Sequence, residues 1–87
     1  MDNTTRVTEY GLSSCVHCKL GKEFLEQNNI PVTFIVVDKM QGKERAAVLT
    51  DVKKINPKIS FPTFVIEPEG KVIVGFVEEE LKEALGI

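Results

Sequence analysis

Two cysteines lie close together in the motif Cys15-Val16-His17-Cys18, and they are the only cysteines in the sequence of 87 residues. A structural disulfide stabilises a protein by closing a long loop, and a pair separated by two residues closes almost none. A close pair without further cysteines is instead typical of thiol–disulfide chemistry or of metal binding. The motif is therefore the first candidate for a catalytic site.

The first cysteine of the pair is expected to lie where a strand passes into a helix. Unpaired backbone N–H groups and the positive end of the helix dipole favour a thiolate at such a position. Cys18 lies one helical turn further on and is expected to be more buried. We therefore predict that Cys15 attacks a partner disulfide, and that Cys18 then attacks Cys15 and releases the reduced partner.

His17 is the only histidine of the chain. A protonated imidazole beside Cys15 would favour the thiolate and raise the reduction potential, whereas an exposed imidazole would only shape the surface offered to a partner. Cysteine and histidine also bind metals, but a structural zinc site needs four protein ligands in general. Since the chain has no other cysteine or histidine, one monomer cannot close such a site, and we predict no bound metal.

The hydrophobic pattern predicts seven elements around this motif. They are a strand at 5–10, a helix at 15–28, a strand at 32–37, a helix at 43–55, strands at 63–67 and 71–74, and a last helix from about Val77. Ser13 or Ser14 is the expected N-cap of the first helix. Residues 32–37 are almost all apolar, which predicts a strand buried on both faces.

The order of these elements, β-α-β-α-β-β-α, predicts an α/β fold. Its four strands form a mixed sheet with three helices on the two faces, and the first two strands are joined by a right-handed crossover. Residues 68–70 form the tight turn of a terminal hairpin. The second helix is predicted because Ala47, Val48, Val52 and Ile55 recur at helical spacing.

Length and charge limit the classes of function. The 87 residues allow a single domain over 1–87, and the net charge of -2 without basic clusters argues against nucleic-acid binding. No apolar run approaches the roughly 18 residues that span a bilayer. Residues 1–6 carry no export signal, so a cytoplasmic protein is expected.

Pro62 lies in Ser60-Phe61-Pro62-Thr63, immediately before a hydrophobic strand. Proline cannot donate a hydrogen bond within a sheet, so it belongs at the start of that strand. A cis peptide bond between Phe61 and Pro62 would turn the chain sharply and place the Phe61 backbone beside the cysteines.

The whole chain resembles the glutaredoxins of the thioredoxin-fold superfamily, and more closely the NrdH-redoxins. Tyr10 precedes the cysteine motif at the spacing seen in these families, and NrdH-redoxins commonly carry Cys-Val-Gln-Cys. The family's cis proline matches Pro62, and a Gly-Phe pair on the NrdH-redoxin docking face matches Gly75-Phe76. The resemblance implies a glutaredoxin-like thioredoxin fold. It also implies catalysis by Cys15 and Cys18, support from His17 and Pro62, and partner contacts at Val16, Phe61, Thr63, Gly75 and Phe76.

Several positions depart from the usual glutaredoxins, which carry Cys-Pro-Tyr-Cys and a lysine that pairs with a glutathione carboxylate. Leu12 stands at the position of that lysine, and Val74-Gly75 replaces a Gly-Gly pair. The resemblance therefore implies a monomeric dithiol electron carrier, fed by a thioredoxin-type reductase and reducing a protein disulfide such as that of ribonucleotide reductase. The redox-active Cys15–Cys18 disulfide would be its only redox group.

Two alternatives remain open at this point. One is a glutathione-dependent glutaredoxin, against which Leu12 argues. The other is a metal or iron–sulfur protein in which two chains share a cluster through Cys15.

Overall fold

Strands and helices follow one another in the order that the hydrophobic pattern predicts. The structure is a computed structural model, and it describes residues 5–87. The N-terminal segment in which no export signal was found lies mostly outside the described residues, because these begin at residue 5. The elements are β1 (Arg6–Gly11), α1 (Val16–Gln27), β2 (Val32–Val36), a 3₁₀ turn (Val37–Lys39), α2 (Gly42–Ile55), β3 (Thr63–Glu67), β4 (Lys71–Val74) and α3 (Glu78–Leu85). The predicted α/β fold is thus confirmed.

The four strands form one mixed sheet in the order β2-β1-β3-β4. Strand β1 lies at its centre, parallel to β2 and antiparallel to β3, and Tyr10 pairs with both Ile35 and Thr63. The expectation that β2 is buried on both faces is wrong: its residues are half-buried and Thr33 is exposed. Because β2 is an edge strand, its apolar side chains lie near the rim of the helix layers rather than under their middle.

One face of the sheet is covered by α1 and α3. Alternate residues of β1 and β3 point into this layer, as the two-residue period of a strand requires. The buried cluster consists of Val7, Phe24, Leu25, Phe64, Ile66 and Leu81. Phe24 and Leu25 of this core pack the last turn of α1 against the sheet.

Helix α2 lies over the opposite face. Its Val52 is fully buried, and Asn56, the residue that ends the helix, is buried against the start of β3. Ala47, by contrast, is exposed. Five residues of an α-helix turn through about 500°, so Ala47 lies about 140° around the axis from Val52.

Strands β3 and β4 form the predicted hairpin. Gly70 adopts a φ of 75° in the turn, and its N–H donates to the Ile66 carbonyl over 2.7 Å. A positive φ is accessible to glycine at little cost, which explains this residue type at the turn. Across residues 5–87, no helix has the length and apolar character needed to cross a membrane.

Candidate active site

Helix α1 begins at Cys15, which is itself the N-cap. Its backbone is extended, and its Sγ accepts a hydrogen bond from the Cys18 N–H over 3.2 Å. The expectation that Ser13 or Ser14 is the N-cap is therefore wrong. The reason is a competing partner: the Ser13 hydroxyl donates to Asp38 instead.

Cys15 and Cys18 are joined by a disulfide, with their Cα atoms 5.2 Å apart. The two residues differ in accessibility, because Cys15 is half-buried and Cys18 is 0% exposed. A partner thiol or disulfide therefore reaches the sulfur of Cys15 and not that of Cys18. This difference fits the predicted order of attack.

Gly11, the last residue of β1, allows Cys18 to lie against the sheet. A Cβ atom built on Gly11 would lie 3.0 Å from Cys18 Sγ and 2.6 Å from Phe34 Cε1. Contacts that short leave no room for a side chain. A glycine at the end of β1 is therefore what lets the buried sulfur approach the strand.

The loop between β1 and α1 is tied to the turn after β2. Asp38 accepts a hydrogen bond from the Ser13 N–H over 2.9 Å and a second from the Ser13 hydroxyl over 2.6 Å. These two bonds lower the pKa of Asp38, the hydroxyl contributing most. The loop that presents Cys15 is thus held in place by a residue from another part of the chain.

Pro62 follows a cis peptide bond from Phe61, as the resemblance to the glutaredoxins implied. The antiparallel register that pairs Tyr10 with Thr63 places Pro62 next to Gly11, and hence beside the disulfide. Pro62 is buried, and its carbonyl accepts a hydrogen bond from the Gly75 N–H over 2.8 Å. Phe61 is half-buried at the same edge of the sheet.

Thr63 does not offer its side chain to a partner, in contrast to the prediction. It is 0% exposed, its hydroxyl donates to the Ser60 carbonyl over 2.7 Å, and it accepts from the Asn56 amide over 3.1 Å. Its hydroxyl is thus used to hold the segment before Pro62.

Apolar side chains are exposed at the start of α1 and around the last strand. Val16 is 68% exposed and Leu20 is 42% exposed, and Val74 and Val77 are also exposed. Such side chains next to a reactive sulfur suit contact with another protein.

The predicted partner residue Phe76 is half-buried, with its ring centroid 6.0 Å from that of Phe24. Gly75 before it adopts a φ of 82° and is half-buried. A shallow groove of about 280 Å³ runs along this ring pair, lined by Leu20, Glu23, Phe24, Gln27, Phe76 and Glu78. Phe76 therefore offers only part of its side chain to the surface.

His17 is exposed in the first turn of α1. Its position fits either of the two roles considered for it. Among residues 5–87, no three His, Cys, Asp or Glu side chains are grouped so that they could hold a metal ion.

Glu9 lies buried beneath the same helix. Its side chain is 0% exposed, and neither carboxyl oxygen has a hydrogen-bond partner. Burial raises the pKa of Glu9 to about 8, although the positive charge of Lys22 opposes this shift. A carboxyl group with these properties is mostly protonated at neutral pH.

Sequence comparison decides the family. The profile of the glutaredoxin family matches residues 7–73. The chain belongs to the glutaredoxin family.

Solved structures of glutaredoxins and related proteins are similar to this family member over nearly its whole length. A glutaredoxin from Methanosarcina mazei Go1 is 41% identical with a TM-score of 0.85, covering 94% of this chain and 79% of the other. Methanoredoxin from Methanosarcina acetivorans is 36% identical with a TM-score of 0.87, covering 94% and 85%. A glutaredoxin from Archaeoglobus fulgidus is 38% identical with a TM-score of 0.84, covering 94% and 87%. No curated protein matches the sequence.

This glutaredoxin-family protein is a thiol–disulfide oxidoreductase, with the Cys15–Cys18 disulfide as its redox group. The sequence pointed to the two cysteines through their spacing, and to Pro62 through its position before a strand and the family resemblance. It did not reveal Asp38 or Glu9. For Glu9 a signal exists, since a charged residue stands between Val7 and Gly11 at an inward position of an alternating strand.

Proposed function

We propose that this protein is a dithiol electron carrier that accepts electrons from a thioredoxin-type reductase and passes them to a disulfide in another protein. The observation that carries the proposal is the unequal burial of the two cysteines beside an exposed apolar surface. Cys15 is accessible, Cys18 is fully buried, and Val16 is 68% exposed between them.

The unequal burial gives each sulfur one role in the exchange. The Cys15 thiolate attacks one sulfur of the partner disulfide, so that a mixed disulfide forms and the partner's other sulfur leaves as a thiolate. Cys18 then loses its proton and attacks Cys15 Sγ. The Cys15–Cys18 bond forms, the mixed disulfide breaks, and the partner leaves with both of its sulfurs reduced.

The apolar surface favours a protein as electron donor. Val16 and Leu20 lie four residues apart on α1 and therefore on one face of the helix, next to the first turn. Leu12, which is half-buried, occupies the position where glutaredoxins carry a lysine for glutathione. An apolar docking surface without that cation suits a reductase better than it suits a charged tripeptide. Ribonucleotide reductase is the acceptor that the resemblance to NrdH-redoxins suggests.

Turnover with two donors tests the proposal. We expect the oxidised protein to be reduced by NADPH and a thioredoxin-type reductase, and to turn over slowly with glutathione and glutathione reductase. Brisk turnover by glutathione and none by the reductase would assign the protein to the glutathione-dependent glutaredoxins.

A charge placed on the apolar surface tests the docking itself. Leu20→Glu should raise the KM for the reductase by roughly tenfold, the size of effect expected for an apolar interface residue. Ile87→Glu is the matched control, because Ile87 is also an exposed large hydrophobic residue, 54% exposed, but at the end of the chain. Equal KM values for the two variants would contradict this surface as the docking site.

An anaerobically purified sample addresses the shared-cluster alternative. We expect colourless protein with two titratable thiols after reduction. Visible absorbance that follows the iron content and disappears in Cys15→Ser would instead indicate a cluster between two chains.

A further inference from the structure

Glu9 is the one buried carboxyl group among residues 5–87 that has no hydrogen-bond partner on either oxygen. Its neighbours across the sheet are Phe34 on β2 and Phe64 on β3, which offer it no hydrogen bond. Burying a polar group without compensation is unfavourable, so a carboxyl group in such a place is rarely explained by packing.

Two contacts locate this carboxyl group relative to the buried sulfur. A Cβ atom on Gly11 would lie 3.0 Å from Cys18 Sγ, and one on Gly21 would lie 3.5 Å from Glu9 Oε2. Gly11 is two residues from Glu9 on the same face of β1, a rise of about 6.6 Å. Gly21 is three residues from Cys18 on the same face of α1, about 5–6 Å away. The carboxyl group and the sulfur therefore lie in the same layer between β1 and α1, at positions about one helical turn apart.

We propose that Glu9 exchanges a proton with Cys18, through one intervening water, whenever the Cys15–Cys18 disulfide is broken or formed. This inference rests on the proposed roles of the two cysteines, since it needs Cys15 to be the sulfur that an outside thiolate attacks.

The exchange balances in both directions. When a donor thiolate attacks Cys15 Sγ, the Cys15–Cys18 bond breaks and its electron pair goes to Cys18 Sγ. The protonated Glu9 carboxyl then gives its proton to that sulfur and becomes a carboxylate. When a partner is reduced, the Glu9 carboxylate takes the proton back from Cys18 as Cys18 attacks the mixed disulfide and the partner thiolate leaves.

The surroundings of Glu9 suit a group that changes charge. Burial raises its pKa to about 8, so that in the disulfide form it holds its proton at neutral pH. The charge that opposes this shift is Lys22 on α1, whose Nζ lies 2.7 Å from Glu26 Oε2. The residues that face Glu9 from β2 and β3 are uncharged, and α3 contributes the buried Leu81 to this layer.

The rate at which dithiothreitol cleaves the Cys15–Cys18 disulfide tests the proposal. Stopped-flow rates, corrected for the fraction of dithiothreitol present as thiolate, should fall about tenfold between pH 7 and pH 9 in the native protein, because a donor with a pKa near 8 loses its proton over this range. Corrected rates that do not change with pH in the native protein overturn the proposal without any variant.

Variants assign the pH dependence to one carboxyl group. Glu9→Gln keeps the shape but holds no acidic proton, so its corrected rate should be low at pH 7 and constant to pH 9. Glu9→Asp keeps a carboxyl group, so its corrected rate should still fall with pH, with a displaced midpoint. This variant provides the test if Glu9→Gln does not fold. Glu67→Gln removes a carboxyl group on the opposite face of the sheet and should behave like the native protein.

The proposal would be overturned if the corrected rate of Glu9→Gln fell with pH as in the native protein. It would also be overturned if the midpoint for Glu9→Asp were not displaced. The assay contains dithiothreitol and no reductase. A failure of the proposal for Glu9 is therefore distinguishable from a failure of the proposed coupling to a reductase, which concerns the docking surface.

Discussion

The Asp38 carboxylate accepts two hydrogen bonds from Ser13, one from its hydroxyl over 2.6 Å and one from its backbone N–H over 2.9 Å. The two residues are 25 positions apart in the chain. Together they join the loop that presents Cys15 to the 3₁₀ turn after β2. Each carboxylate oxygen accepts one of the two bonds, so protonation of Asp38 in acid weakens this contact.

Removing that carboxylate should loosen the loop. Asp38→Ala should speed amide hydrogen exchange at Ser13 by roughly fivefold or more, as expected for the loss of a charge-assisted hydrogen bond. Asp51→Ala, on α2, is the control and should leave the exchange at Ser13 unchanged. In the native protein the pKa of Asp38 is lowered, chiefly by the Ser13 hydroxyl, so protection should persist below the ordinary pKa of an aspartate and decrease only as the pH falls through that lowered value. Equal exchange rates in the native protein and Asp38→Ala would contradict this role.

The unequal burial of the cysteines predicts different outcomes for two serine variants. Cys18→Ser should accumulate a mixed disulfide with a disulfide substrate, because no second thiol is left to release it, and mass spectrometry of the trapped adduct measures this. Cys15→Ser should abolish disulfide reduction, since the sulfur of Cys18 is fully buried. A Cys18→Ser variant that traps nothing and keeps full dithiol activity would show that the roles are assigned wrongly.

The buried carboxyl group predicts how stability depends on pH. The pKa of Glu9 is raised from 4.5 to about 8 on folding, so between these values the folded protein holds a proton that the unfolded chain has released. Stability therefore falls as the pH rises through this range, by up to about 1.4 kcal/mol per pH unit from this group. Urea unfolding at several pH values measures it. Glu9→Gln should remove most of this slope, and an unchanged slope would argue against a buried, protonated Glu9.

The close contact between α1 and β3 predicts a cost for a single methyl group. A Cβ atom on Gly21 would lie 2.5 Å from Phe64 Cζ, and Phe64 is fully buried. Gly21→Ala gains about 1 kcal/mol in helix propensity but overpacks the core by about 1–3 kcal/mol. We expect a net loss of stability in urea denaturation, whereas Glu23→Ala on the exposed face of the helix should be nearly neutral. A stabilised Gly21→Ala protein would mean that α1 lies further from the sheet.

Local signals in the sequence were sufficient for much of the fold. The ranges of β3 and β4 were predicted as observed, because their apolar residues are bounded by Pro62, by the turn at Gly70 and by Gly75. Helix α1 was predicted within one residue at each end. These boundaries depend on neighbours in the chain, which a sequence displays directly.

The errors involve contacts that the local hydrophobic pattern does not encode. Ser13 was expected to cap α1, but a carboxylate 25 residues away binds its hydroxyl. The half-burial of β2 follows from its edge position, and Thr63 is bonded inward to Asn56. Strand order and side-chain networks of this kind form only when the chain folds, so local pattern could not reveal them.

Cys15 caps the N-terminus of α1 with the same sulfur atom that takes part in the exchange. The Cys18 N–H points at that sulfur, so each change in its covalent partner also changes the acceptor that terminates the helix. The backbone hydrogen bond in the first turn of α1 therefore depends on the redox state. The environment of the Cys18 amide differs according to whether the Cys15 sulfur is bonded to Cys18, bonded to a partner, or free.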